Sequence, residues 1–567
     1  MQKRSKKYTV FIWLILILCG TAIPAWFIKG GGIPQNWDIS FHIARFNGLC
    51  AELKNGVYFP YYLSTSYLGQ GYLTGVFYGW LFLYPFAALT LLGVSQYAAF
   101  LSMLFFYGIA FSVIVYKTAL AILNELDIAS GYTPLQMRVL SLIIAVLSTF
   151  DPYRIRLLLY RGSFGEWLAM LWIPLIAYSV ILLFKKNRIL PLAISMAAMC
   201  YTHSLSLFIA ALVLLVVFII KWKSVLANRG EVLKSTIKAA GICILLSAAF
   251  ILPFVQSIKD EDLLFEHSSY GCRLNAYYFD VLPDNTAGIV IGIILVVGFV
   301  LWIAFHRKTF SRVFQLSLLP IFFYTNLVPW KLLQYTPLAI IQFPWRFMIL
   351  MPIIYFLLIL NVSRLSEQKL FGKISIKGKS MKLLGVVALV YCILLTACMV
   401  KKLNIGYQWE TLPLVTEENM DTIDDIGLFE YLPVELAQKR FDRSISESQN
   451  MVSCSSLHEL NEDKADVRHI DTMTYDYALK INDTSAIVLD KVYYHGFAVS
   501  VNGKPTEYRN QGGLIAIDGV KENGIIRLEY QKNTGQILGL LISTVTSVML
   551  VMSCVIFKKK KESGQYV

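Results

Sequence analysis

Charge is scarce in this sequence: 16% of its 567 residues are Asp, Glu, Lys or Arg, while 56% are hydrophobic. Soluble domains carry about 25% charged residues, so a large water-soluble core is excluded. A mean hydropathy of +0.57 describes a multi-span membrane protein instead. Cysteine is sparse too. Nine are scattered without a CxxC pair, most of them in apolar runs where a thiol acts as a small apolar residue. That excludes a disulfide framework, and no His/Cys spacing suits zinc. An internal repeat is lacking, and ionisable groups avoid the middle of the apolar runs. Both absences count against a transporter, which places such groups near the midplane.

Acidic residues number 37 against 51 basic ones, for a net charge of +14. The excess sits in short loops between apolar runs, where it sets membrane orientation, and calls for no nucleic-acid partner. Several apolar runs reach about 20 residues, enough to cross as a helix, and keeping the basic clusters on the cytoplasmic side gives about 12 crossings. They fall at 9–28, 97–119, 135–150, 166–184, 189–202, 204–220, 237–255, 287–305, 313–328, 346–362, 383–400 and 537–557. Both termini are then cytoplasmic. Tyr8 to Ile28 is read as a retained first span, because no small-x-small cleavage site follows it. Counting Phe77 to Gly93 as a crossing would invert the later clusters, so it is read as a juxtamembrane or re-entrant element.

The outer loops carry the candidate chemistry. In the first, 29–75, a helix over Ile39 to Leu53 would place Asp38, His42 and Arg45 at i, i+4 and i+7 on one face. Asp38 then sits at a helix N-terminus, where negative charge is favoured. A solvated amphipathic face is the plainer alternative. The tyrosines of this loop suit interfacial anchors or a sugar platform. The second outer loop holds Arg154, Arg156, Arg161 and Glu166. Arginines on the outer face oppose the orientation trend, and a lipid phosphate would match their forked donors. Pairing with Asp151 and Glu166 is the alternative. Arg346 opens a span at the outer face in the same way, after Gln342-Phe343-Pro344-Trp345, and snorkelling is its rival reading. His267 stands in the loop between them.

Past 400 the texture becomes polar. Alternating runs around Lys491 to Val501, the Asn502-Gly503 turn, Gly512 to Ile517 and Ile525 to Tyr530 read as a small antiparallel β unit. The expected architecture is an all-α polytopic membrane protein with a β-rich extracytoplasmic domain before its last helix. Its parts are a transmembrane domain over 1–400, the β-rich domain over 401–535, and an anchor with a basic tail over 536–567.

Three motifs carry a resemblance: Asp38-Ile39-Ser40-Phe41-His42-Ile43-Ala44-Arg45, Tyr160-Arg161-Gly162-Ser163-Phe164-Gly165-Glu166, and Gln342-Phe343-Pro344-Trp345-Arg346. With the late segments Tyr494-His495-Gly496-Phe497 and Val501-Asn502-Gly503-Lys504, the chain resembles bacterial membrane proteins of the YfhO type. It also resembles those labelled as related to 6-pyruvoyl-tetrahydropterin synthase. These are similar to the GT-C superfamily of membrane glycosyltransferases.

The resemblance implies an enzyme that moves a sugar from a polyprenyl-phosphate donor to an envelope polymer or glycolipid. The site would lie at the extracytoplasmic face of the lipid bilayer, and the reaction would invert the anomeric carbon. The resemblance maps the catalytic acids onto Asp38 and Glu166 and the arginine near the donor phosphate onto Arg346 or Arg161. The residues themselves add His42 as a further catalytic candidate, and Arg45, Arg154, Arg156 and His267 as further substrate-binding candidates. If a divalent metal ion takes part, Asp38 and Glu166 are its ligands; no other cofactor is implied. A non-catalytic envelope scaffold, or a lipid or sugar transporter, is the alternative.

Overall fold

The computed structural model describes residues 2–36, 38–126, 132–265, 330–333, 335–365, 412–427, 430–438, 465–469, 474–479, 487–518 and 525–562. The expected spans 287–305, 313–328 and 383–400, and His267, lie outside the described residues. The chain is mostly helical, with a small β region near its C-terminal end.

Among the described residues four helices are long and apolar enough to cross a membrane: Tyr8–Lys29, Gln96–Glu125, Phe164–Lys186 and Thr534–Ile556. Pro134–Thr149, Leu190–Cys200 and Ser204–Ile220 are apolar but shorter. Phe77 to Gly93 forms only short helical pieces, Tyr84–Ala87 and Ala88–Leu92, closed by Gly93 in the left-handed conformation.

The chain divides into two compact units. The first comprises 1–39, 101–240 and 271–416. Here the helices Gln2–Lys29 and Gln96–Glu125 cross where Gly20 faces Gly108: a Cβ on Gly20 would stand 2.5 Å from Ile109 Cα. Small residues let the two backbones approach this closely, the usual device for helix association in lipid. Ser112 adds a hydrogen bond to the Leu16 carbonyl at 2.8 Å. Strands β1 (Ile33–Pro34) and β2 (Leu414–Val415) pair antiparallel and tie the end of the first helix to the segment that follows the later ones.

The second unit comprises 40–100, 241–270 and 417–567. Its strands are β3 (Ala465–His469), β4 (Thr474–Leu479), β5 (Ile487–Val492), β6 (Phe497–Val501), β7 (Lys504–Pro505), β8 (Arg509–Gln511), β9 (Leu514–Ile517) and β10 (Ile525–Tyr530). They form two antiparallel sheets, ordered β3-β4-β10-β6-β7 and β5-β9-β8. The Asn502-Gly503 turn joins β6 to β7 as the sequence signal required. β10 alternates exposed and buried residues, so Ile526, Leu528 and Tyr530 enter the core.

That core corrects one expectation. Tyr61, Tyr62, Tyr67 and Tyr72 of the first loop are not interfacial anchors but buried partners of the β region. Tyr62 stacks on Tyr530, with centroids 4.6 Å apart. A tyrosine ring brings a large apolar area to a core built from short strands. Gly71 makes room: its φ is +88°, and a Cβ there would strike the Tyr62 ring.

The segment 237–255, expected as a span, falls on a broken helix. The helix is bent by 74° between Gly230–Leu246 and Ala248–Asp260. The break leaves backbone groups unpaired, and the Ser543 hydroxyl takes them up. It accepts from Ala249 N–H at 2.8 Å and donates to the Leu245 carbonyl at 3.3 Å. Gly535 and Gly539, one turn apart on the last helix, allow that contact. A Cβ on Gly539 would lie 2.6 Å from the Ala248 carbonyl oxygen.

Candidate functional site

In the first unit the segment expected as the second outer loop folds as two short helices, Pro152–Leu159 and Phe164–Ala169. Pro152 and Asp151 start the first of them: Pro fits the first helical turn, and the Asp151 carboxylate accepts from Arg154 N–H at 3.1 Å as its cap. Between the helices Gly162 adopts φ +66°, and a Cβ would meet Ile39 N at 2.5 Å. The glycine therefore lets Asn36 and Ile39 lie against this loop. Asn36 donates to the Leu159 carbonyl at 3.0 Å, and Asp38 N–H to the Arg161 carbonyl at 2.8 Å.

This docking gathers four charges. Arg161 lies 3.6 Å from Asp38 Oδ2 and 3.3 Å from Glu166 Oε2. Arg346 approaches Glu166 Oε2 through Nε at 3.7 Å. The Tyr153 hydroxyl donates to Glu166 Oε1, and the Ser163 hydroxyl to Asp38 Oδ2. Exposure separates the two acids: the Glu166 side chain is 2% exposed and that of Asp38 40%. Glu166 is thus an internal counter-ion, while Asp38 presents a carboxylate held by one guanidinium and one hydroxyl. Burial opposes the charge of Arg161, but Glu166 and Asp38 outweigh it and raise its pKa. Arg161 Nε and Arg346 Nε are buried and have no hydrogen-bond partner, and such donors are costly to leave unsatisfied.

Arg346 is positioned by an unusual turn. Gln342 has φ +61° and ψ −50°, and Phe343 N–H donates back to the Ile341 carbonyl at 2.7 Å. This is a γ-turn of the rare, strained hand. It directs Gln342 Oε1 and the Ile341 carbonyl at Arg346 Nη1, at 2.6 Å and 2.9 Å. It also sets the Phe343 ring 5.2 Å from the Arg346 guanidinium and 6.0 Å from that of Arg161.

The other sequence candidates take different places. Arg154 is sandwiched between Phe111 and Trp167, 3.6 Å and 4.3 Å from their centroids, and donates to the Trp167 carbonyl at 2.8 Å. Arg156 lies over Tyr160. Asp151 is buried and accepts from the Tyr355 hydroxyl at 2.7 Å; burial pushes its pKa up to about 6. His42 and Arg45 belong to the second unit. There Arg45 meets His42 Nδ1 and the Gly79 carbonyl, each at 3.2 Å, and burial pushes its pKa down to about 10.

Sequence reasoning gave no role to Tyr153, Ser163, Gln342, Phe343 or His203. Burial, with Arg346 and Arg161 adding to it, holds the His203 imidazole well below its ordinary pKa. Its Nδ1 accepts from Ser206 N–H at 3.2 Å and caps the Ser204–Ile220 helix. The network does not suit a divalent metal. Both carboxylates face Arg161, so a cation among them would lie against a guanidinium. Among the described residues no three His, Cys, Asp or Glu side chains converge.

The fold and this network describe a helical protein, with several apolar helices that could span a membrane, that carries an arginine–carboxylate cluster of Asp38, Arg161, Glu166 and Arg346. No protein-family model and no curated protein matches the chain.

Proposed function

We propose that the chain is a membrane glycosyltransferase that moves a sugar from a polyprenyl-phosphate donor to an extracytoplasmic polymer or glycolipid, with inversion. In this reading it crosses the bilayer about 12 times with both termini cytoplasmic, as the YfhO-type and GT-C resemblance suggests. Asp38 takes the proton of the acceptor hydroxyl as that oxygen attacks the anomeric carbon. The bond to the phosphate oxygen breaks, and polyprenyl phosphate leaves with the electron pair. Arg161 and Arg346 stabilise the phosphate charge with their guanidiniums.

The observation that carries this reading is the asymmetry of the cluster. One exposed carboxylate stands beside two buried guanidiniums, each with an unsatisfied N–H. A scaffold is the second reading, favoured by the charge balance of two arginines against two acids. Protein in nanodiscs, mixed with polyprenyl-phosphate-sugar donors and envelope acceptors, separates the two. Release of polyprenyl phosphate that Asp38→Asn lowers by about 100-fold or more supports transfer. Equal release by wild type and variant refutes it.

A further inference from the structure

The second unit holds a buried positive charge with no counter-ion. Arg45 is 7% exposed, and among the described residues no carboxylate lies within ion-pair distance of it. A guanidinium only donates, so the His42 Nδ1 facing it must be the acceptor, and the neutral ring carries its hydrogen on Nε2. Gly79 supplies the other acceptor. Two of the five N–H donors are therefore used, both by neutral groups.

Around the charge stand aromatic rings. The guanidinium carbon is 4.6 Å from the Tyr78 centroid and 5.7 Å from that of Phe41. Tyr78 meets Tyr431 edge-on at 6.0 Å, and Phe77 stacks on Tyr431 at 4.4 Å. Such faces attract a cation, but more weakly than removing the ion from water opposes it. Tyr431 adds strain. Its φ is +64°, which a bulky side chain rarely adopts, and it is pinned by its N–H to the Leu264 carbonyl at 2.6 Å. An unbalanced charge and a strained wall in one place mark a site kept for binding rather than for stability.

We propose that Arg45, with the rings of Phe41, Tyr78 and Tyr431, binds a sugar bearing an oxyanion. The guanidinium takes the carboxylate or phosphate, and the rings take an apolar sugar face. The site stands whether or not the chain transfers a sugar, because it shares no residue with the Asp38 network.

The test uses the full chain in nanodiscs with glucuronate, glucose 6-phosphate, glucose and inorganic phosphate, read by calorimetry and thermal melting. Wild type is expected to bind one or both acidic sugars and to ignore glucose. Glucuronate binding identifies a carboxylate ligand, and glucose 6-phosphate binding a phosphate ester. Arg45→Met should weaken that binding at least 10-fold, while its ligand-free melting temperature is no lower than wild type. Arg45→Lys should bind more weakly than wild type. Three results would overturn the proposal: no anion binding by wild type, inorganic phosphate binding as well as the sugar acids, or an Arg45→Met protein that melts lower yet binds normally.

Discussion

Arg161 and Asp38 meet twice. The guanidinium lies 3.6 Å from the Asp38 carboxylate, and the Arg161 carbonyl accepts the Asp38 N–H at 2.8 Å. The backbone bond fixes where residue 38 stands, and the side-chain pair fixes where its carboxylate points. Glu166, behind Arg161, keeps that guanidinium from being an unpaired ion.

Removing Arg161 should therefore damage the fold as well as the site. Arg161→Gln leaves Glu166 buried beside Arg346 alone, and breaking a buried pair in this way costs about 3–5 kcal/mol. Arg161→Lys keeps the charge but loses the fork, so its loss should be smaller. Thermal unfolding in detergent measures the order. A glutamine variant as stable as wild type would contradict the buried Arg161–Glu166 pairing.

Tyr153→Phe removes only the hydroxyl that donates to Glu166 Oε1. The unsatisfied acceptor should cost about 1–3 kcal/mol. Denaturant titration of both proteins checks this, and an unchanged midpoint would contradict it.

Asp151 gives a pH signature. Its neighbours are Arg154, Tyr153 and Tyr355, and its pKa is pushed up from 3.8 to about 6. The folded state then binds more protons than the unfolded state between about pH 4 and pH 6, so this group's contribution to stability is lost as pH rises through that window. The size is on the order of 3 kcal/mol, at about 1.4 kcal/mol per unit. Asp151→Asn removes the term, so its stability relative to wild type should climb from pH 4 to pH 6. A constant difference would refute the shift.

At Gln342 the usual order of glycine and alanine should reverse. Both substitutions remove the acceptor for Arg346, but only glycine relieves a φ of +61°. Gln342→Gly should exceed Gln342→Ala in stability by about 1–3 kcal/mol. Alanine equal to or above glycine would show that the turn is unstrained.

Much of this was legible in the sequence, for identifiable reasons. Apolar length marks Tyr8–Lys29 or Gln96–Glu125 as spans, and the Asn502-Gly503 turn marks a hairpin, because both signals are local. Arg161 and Arg346 stood out because arginines at the expected outer ends of apolar runs oppose the orientation trend, and Glu166 through the resemblance. What the residues could not give is long-range pairing. Insertion of β10 between β4 and β6, the Tyr62–Tyr530 stack and the Ser543 bond at the helix bend each join distant segments. The Gln342 turn escaped notice because positive φ signals itself only at glycine and asparagine. The Gly535/Gly539 spacing was a readable signal that went unused.

Asp38→Asn in the native host tests the central claim most directly. A deletion strain carrying wild type or Asp38→Asn at matched protein levels is compared for envelope glycans and polyprenyl-linked sugars. The account predicts loss of one sugar modification with build-up of its lipid-linked donor in the variant. Full restoration of the glycans by Asp38→Asn would contradict it and leave the arginine–carboxylate cluster a structural element.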